Sequence, residues 1–251
     1  APVVEQLSGV GLLDESKNWR RVLIEKPFGT DLASAQDLQA KITKHLKESQ
    51  IYRIDHYLGK SAIQNIMLTR FANAIFEPLW NSEHIDHVQI TNNETLGVGE
   101  RTTFYDATGA MRDMFQSHLL QTLALVAMEK PKNLNPESIR AEKIKVLESI
   151  KPVDLNNFHK QVFRAQYAAG RVEAGDGHAE KVPGYLDELK RDGIAPSTTE
   201  TYAAVKLFID NPRWKGVPFY VRTGKRMHEG NTAIAIRFKK SPMNLVDDQH
   251  Q

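Results

Sequence analysis

The sequence predicts an α/β segment followed by an α+β domain: the end of a Rossmann-like parallel sheet, then a large, mainly antiparallel sheet with packed helices, with the boundary after Ile54. Three observations support this. Two short apolar runs, residues 21–25 and 51–54, flank a stretch of helical periodicity, the pattern of a βαβ crossover. A long segment with an apolar face spans residues 110–128. Three runs at 201–209, 217–222 and 232–239 are rich in aromatic and β-branched residues, as strands are.

Taken in order, Arg21-Val22-Leu23-Ile24-Glu25 reads as a buried strand, Lys26-Pro27-Phe28-Gly29 as a turn, and Thr30 or Asp31 as a helix N-cap. Leu32, Ala35, Leu38, Ile42 and Leu46 then recur at three- and four-residue steps, giving one apolar face up to Ser49. Ile51-Tyr52-Arg53-Ile54 is the second strand. Ligands of such sheets sit beyond the carboxyl ends of the strands, where Lys26, Asp55 and His56 fall. Ile63, Ile66, Met67, Phe71 and Ile75 predict a helix stopped near Pro78, and residues 87–91 alternate as an antiparallel strand should. A helix is expected over residues 138–150 with Pro152 ending it. Residues 169–199, with repeated Gly and many charges, are expected to be loops around short helical turns.

Composition narrows the chemistry. Hydrophobic residues make up 41% and charged ones 25% of the 251 residues, as in a globular protein. A net charge of +2 is too balanced for a nucleic-acid footprint. No apolar run reaches the roughly 20 residues of a transmembrane helix, so the expectation is no membrane and a cytoplasmic location. Cysteine is absent, which excludes disulfides, thiolate metal sites and a cysteine nucleophile. No metal is expected at His84 and His87 either, because a strand would point them to opposite faces.

The densest polar cluster is Arg53-Ile54-Asp55-His56-Tyr57-Leu58-Gly59-Lys60. Arg53 and Lys60 are cationic donors, His56 donates or accepts near neutral pH, Tyr57 offers a phenol, and Asp55 can orient a histidine or bind a hydroxyl. Such a set can grip a phosphorylated, hydroxyl-rich ligand; it can equally be a solvated turn at a strand end. Lys26, before Pro27, is placed to meet a sugar or cofactor, or is an ordinary exposed turn lysine. His118 lies among Met111, Met114, Phe115, Leu119 and Thr122, largely at helical spacing. Alone it reads as a core histidine; combined with Asp55 it reads as a general base. Asp113 is either a ligand for hydroxyls or an ion-pair partner of Arg112.

These segments, with Glu25-Lys26-Pro27-Phe28-Gly29, Arg112-Asp113-Met114-Phe115-Gln116-Ser117-His118 and Arg222-Thr223-Gly224-Lys225, resemble the glucose-6-phosphate dehydrogenase family, in the same order and at similar separations over residues 1–240. The resemblance implies oxidation of glucose 6-phosphate at C1 to 6-phosphoglucono-lactone, with hydride transfer to NADP or NAD, in the pentose phosphate branch of glucose metabolism. It implies that residues 1–54 are the C-terminal remnant of a dinucleotide-binding domain. Residues 55–251 would be a truncated substrate-binding and dimerisation domain of a homodimer or higher homo-oligomer. His118 would be the base and Asp55 its orienting carboxylate. Lys26 would contact the substrate near the reacting carbon and also serve the cofactor. His56, Tyr57 and Lys60 would hold the phosphate, Glu94 and Asp113 the sugar hydroxyls, and Lys225 would be a second substrate lysine. A cis Lys26-Pro27 bond is a further expectation.

Two departures stand out. Many family members carry a second basic residue five positions after the substrate lysine; Gly230 occupies that place, and Arg226 is too close to replace it. The Gly-rich dinucleotide turn is not found, since Ser8-Gly9-Val10-Gly11-Leu12-Leu13 lacks the third small residue and a preceding strand. The expectation is therefore a fragment that lacks full activity alone, with a non-catalytic sugar-phosphate-binding or oligomerisation module as the competing one.

Overall fold

Helix α1 (Pro2–Gly9) opens the chain and is not anticipated by the sequence pattern; it contributes Val4 to a small core with Ile42, Leu46 and Ile51. Strand β1 (Val22–Glu25) leads through Gly29 into helix α2 (Leu32–Thr43). Gly29 has a φ of +105°, and a Cβ there would lie 2.6 Å from the Ala35 nitrogen, so the turn requires glycine. Asp31 caps α2 by accepting the Ser34 N–H at 2.8 Å, while the Ser34 hydroxyl accepts the Asp31 N–H at 3.0 Å. The helix ends at Thr43, short of Ser49, and one 3-10 turn (Glu48–Gln50) precedes strand β2 (Ile51–Ile54). β1 and β2 pair in parallel, with Glu25 opposite Ile54, as the crossover pattern predicts.

The computed structural model describes residues 2–16, 18–173 and 179–240, and the chain divides into two units, Ala1–Gly59 and Lys60–Gln251. In the second, helix α3 (Ser61–Phe71) stops at Ala72, and Pro78 does not end it. Pro78 instead sits within the short helix α4 (Phe76–Leu79), in a first turn that does not need its missing N–H. Strand β3 (Ile85–Asn93) follows. Helix α5 (Thr102–Ala110) precedes the long helix expected over 110–128, which is two pieces, a π-helix (Met111–Leu119) and helix α6 (Leu120–Ala127).

Helix α7 (Pro136–Glu148) is capped by Asn135 and ends well before Pro152. Strand β4 (Val162–Ala165) comes next. The stretch expected to be loops then holds a hairpin, β5 (Gly170–Glu173) with β6 (Ala179–Val182), and helix α8 (Tyr185–Arg191). Residues 174–178 of that stretch lie outside the described residues.

Strands β7 (Tyr202–Phe208), β8 (Pro218–Gly224) and β9 (Asn231–Phe238) complete a five-stranded sheet of order β4-β7-β8-β3-β9. It is antiparallel except between β3 and β8, which run parallel from Val88 opposite Phe219 to Asn93 opposite Gly224. Residues 87–91 therefore have one parallel and one antiparallel neighbour, a mixture that the alternating pattern does not reveal. Val88, Ile90, Phe219 and Val221 are at most 1% exposed, and so are Leu119, Leu123 and Val126 of the helical layer.

The C-terminal end of α6 is capped by side chains from three places. Arg70 donates to the Leu125 and Val126 carbonyls at 3.2 and 3.0 Å, the Trp80 indole to Val126 at 2.8 Å, and the Trp214 indole to Ala127 at 2.7 Å. These are carbonyls that a helix cannot satisfy internally. Among the described residues no helix is long and apolar enough to cross a membrane.

Candidate functional site

The parallel pairing of β3 and β8 builds the first half of the site. Because Asn93 lies opposite Gly224, the residues that follow, Glu94 and Lys225, leave the same end of the sheet side by side. The Glu94 N–H donates to the Gly224 carbonyl at 2.9 Å and the Lys225 N–H to the Thr201 carbonyl at 2.9 Å. The Lys225 ammonium forms an ion pair with the Glu94 carboxylate and lies 5.3 Å from the ring centre of Tyr105. Tyr105 is 3% exposed; burial, then the carboxylates of Asp113, Glu200 and Glu94, push its pKa up, so it stays a neutral phenol.

Lys60 precedes α3 and donates to the Thr232 hydroxyl at 3.2 Å, which in turn donates to the Asn92 side-chain oxygen at 3.0 Å. Thr232 is the second residue of β9, opposite Asn92, and so lies at the same sheet end. Lys60, Glu94 and Lys225 are thus gathered at one sheet end by strand register. Gly230 lies just before β9, and a Cβ added there would find its nearest neighbour, a Thr95 methyl, at 3.6 Å. The position has room for a side chain.

Arg226 does not supply the missing cation. Its φ is +56°, its N–H donates to the Leu96 carbonyl at 3.0 Å, and its guanidinium turns inward to Glu188 at 3.0 Å. Glu188 is 1% exposed and also accepts the Tyr167 hydroxyl at 2.6 Å.

Asp113 and His118 both lie on the π-helix, whose end is marked by the Leu120 N–H donating to the Phe115 carbonyl. In an α-helix a five-residue step turns about 500°, leaving the two side chains about 140° apart. In a π-helix the hydrogen bond itself closes over five residues, so Asp113 and His118 become axial neighbours. His118 is 8% exposed, and its carbonyl accepts the Thr122 hydroxyl at 3.0 Å. Arg112 donates to the Ala107 carbonyl at 3.1 Å.

In the first unit, the Lys26-Pro27 bond is cis and Lys26 is exposed just after β1. His56 Nε2 lies 2.6 Å from the Glu25 carboxylate, linking the carboxyl ends of the two parallel strands. Asp55 accepts the Tyr57 N–H at 3.0 Å, which starts a single 3-10 turn (His56–Gly59) with Tyr57 7% exposed. Arg53, a cationic donor in the sequence cluster, is instead committed to Glu48 at 2.7 Å. Asp55 belongs to this unit and His118 to the other.

Ser8-Gly9-Val10-Gly11 is the C-terminal end of α1 and the turn after it, with the Val10 N–H bonded to the Gln6 carbonyl at 3.3 Å. That end presents carbonyls, whereas a dinucleotide pyrophosphate needs the N–H groups of a helix start. The segment does not fit a dinucleotide.

Tyr105, Thr232 and Glu200 are not singled out by the sequence. Their place depends on strand register and on a helix form that periodicity does not signal.

The chain matches the family described as "Glucose-6-phosphate dehydrogenase, NAD binding domain" over residues 1–65 and "Glucose-6-phosphate dehydrogenase, C-terminal domain" over residues 67–251. It is 53% identical over 228 residues to a glucose-6-phosphate 1-dehydrogenase of Bacillus subtilis, covering 90% of this chain and 45% of that one. It is 51% identical over 227 residues to one of Rhizobium meliloti, again covering 90% and 45%. The chain spans about half the length of the curated relatives it matches. Among solved structures, a glucose-6-phosphate dehydrogenase in complex with its substrate glucose-6-phosphate superposes with a TM-score of 0.82 at 39% identity, over 97% of this chain and 47% of that one. The glucose-6-phosphate 1-dehydrogenase from Mycobacterium avium gives 0.81 at 37% identity, over 97% and 49%.

Proposed function

Because the chain belongs to the glucose-6-phosphate dehydrogenase family, we propose that the protein it forms oxidises glucose 6-phosphate at C1 to 6-phosphoglucono-lactone, with NADP as hydride acceptor. The observation that carries this reading is the convergence of Glu94, Lys225 and Lys60 at one sheet end, together with Asp113 and His118 in axial register on the π-helix.

Removing hydride from C1 leaves a carbonyl only if the hydroxyl proton departs as well, so a base must stand at that oxygen. In our reading His118 takes the proton and Asp55 fixes the imidazole for it. Glu94 and Asp113 accept hydrogen bonds from sugar hydroxyls. Lys225 shifts part of its pairing from Glu94 to the sugar. His56, Tyr57 and Lys60 hold the phosphate through charge-assisted or neutral donors. Lys26 lies near the reacting carbon and is the contribution of these residues to the cofactor. NADP, when bound, supplies the acceptor for the hydride. A cytoplasmic homodimer completes the proposal. The sheet face that carries Phe163, Tyr220 and Arg222, with the two rings 62% and 40% exposed, is the surface we assign to the second copy.

The experiment is an assay of a chain of full family length carrying this sequence, with glucose 6-phosphate and each nicotinamide cofactor. Formation of reduced NADP is expected; no reduced cofactor would reject the activity. The open position at Gly230 gives a second expectation. Gly230→Lys should lower KM for glucose 6-phosphate by about tenfold, the effect of one charge-assisted hydrogen bond of about 1.5 kcal/mol. KM for unphosphorylated glucose should hardly move. An equal fall for both sugars would mean that this position does not meet the phosphate.

A further inference from the structure

Glu200 is 7% exposed and stands immediately before Thr201, the residue that leads into β7. Its hydrogen bonds run to a helix start 89 residues away in sequence: its carboxylate Oε1 accepts the Met111 N–H at 3.0 Å. Its carbonyl accepts the neighbouring Ala110 N–H, also at 3.0 Å. One residue earlier, Gly109 has φ 69° and ψ 170°, and a Cβ there would lie 2.6 Å from that same Oε1. Glu200 is itself braced. Arg164 lies 3.5 Å from its Oε2, and the preceding Thr199 hydroxyl donates to the Asp106 carbonyl at 2.8 Å.

What begins at Met111 is the π-helix with Asp113 and His118. Helix starts leave N–H groups without internal partners, and buried ones need an acceptor. The π form is also the rarer one, so its register needs support from outside the helix. Glu200 supplies both acceptors at that start, and the left-handed Gly109 lets the chain approach it.

We infer that Glu200, through Gly109, is a positioning residue that holds the π-register and with it the rotation of His118 and Asp113 about the helix axis. This rests on the proposed role of His118 as base. With the carboxylate removed, the Met111 N–H loses its acceptor while the Ala110 N–H keeps the residue-200 carbonyl, and the segment is free to tighten toward an α-helix, which would swing His118 away from Asp113. Lys60, Glu94 and Lys225 stand on the sheet end and would stay where they are.

The test uses the full-family-length enzyme with Glu200→Ala, Glu200→Gln and Gly109→Ala. Glu200→Ala and Gly109→Ala should each lower kcat on the order of 10²-fold, the scale of a 1 Å misplacement of a reacting group. KM for glucose 6-phosphate should rise by no more than about tenfold, since the sheet-end contacts remain. Glu200→Gln keeps an oxygen acceptor and should recover most of kcat. The double variant of Gly109 and Glu200 to Ala should be hardly slower than either single one, because both act on one device. The ring-proton NMR signals of His118 give a readout independent of turnover: they should move in Glu200→Ala and not in Glu200→Gln. Normal kcat per folded molecule in Glu200→Ala, a change confined to KM, or unmoved His118 signals would overturn the inference. Should Glu200→Ala not fold, Gly109→Ala carries the same expectations. If the wild type forms no reduced nicotinamide, the proposed activity falls, and the His118 signals still decide the role of Glu200.

Discussion

Replacing His118 by Asn in the full-family-length enzyme is expected to slow turnover of glucose 6-phosphate by roughly 10² to 10⁴, the range for loss of a positioned general base. Asn is smaller than His but keeps a polar group at the Nδ1 position, so at a site only 8% exposed it overlaps nothing and the π-helix should still form. It cannot take the C1 hydroxyl proton. KM should change little, because the contacts assigned to the phosphate and the sugar hydroxyls are made by other residues. Asp55→Asn should cost less alone and add little in the His118→Asn background, since a carboxylate that only orients an imidazole has nothing left to orient. Near-normal turnover of His118→Asn would reject its assignment as base and leave Asp113 as the next carboxylate to examine.

The second large effect is on stability. Arg70→Ala should lower the unfolding free energy by about 3 to 5 kcal/mol, as expected when one partner of a buried ion pair is removed. Arg70 is fully buried, and its guanidinium serves three groups at once. It meets Glu77 at 3.1 Å, the Leu125 and Val126 carbonyls at the end of α6, and the face of Phe71 at 4.5 Å. Burial pushes its pKa down to about 10, which leaves it charged at neutral pH. Arg213, 3.2 Å from Glu77, would still neutralise that carboxylate in part, but it cannot reach into the vacated volume as Arg70 does. Arg70→Lys should recover little, because one ammonium cannot match a planar fork with five donors. A urea midpoint for Arg70→Ala indistinguishable from wild type would show that α6 is capped well enough by Trp80 and Trp214 alone.

Much of this was legible in the sequence for identifiable reasons. β1, α2 and β2 declare themselves because a parallel strand pair and its crossover are local: the apolar run, the Asp31 cap and the Gly29 turn are all within one stretch of chain. The late strands are visible from β-branched and aromatic content. The π-helix is not visible, because Met111 to Leu119 carries the same apolar residues an α-helix would, and the change of register comes from Gly109 and from Glu200, remote in sequence. The parallel neighbour of β3 is hidden for a related reason. Alternation shows which face is buried, not the direction of the partner strand. α1 is not visible in the sequence because Pro2 to Gly9 is short and owes its place to Val4 docking on Ile42 and Ile51. Of the proposed site, the sequence offers the residue types, whereas the Glu94–Lys225 pairing and the inward turn of Arg226 need the fold.

In the proposed function the whole protein takes hydride from C1 of glucose 6-phosphate. The most direct measurement supplies glucose 6-phosphate deuterated at C1 to the full-family-length enzyme with NADP and follows the isotope by NMR. Deuterium should appear in the reduced nicotinamide, one for each lactone formed, and in His118→Asn its rate of appearance should fall with turnover by the same roughly 10² to 10⁴. Reduced nicotinamide carrying only protium, or none formed at all, would contradict it.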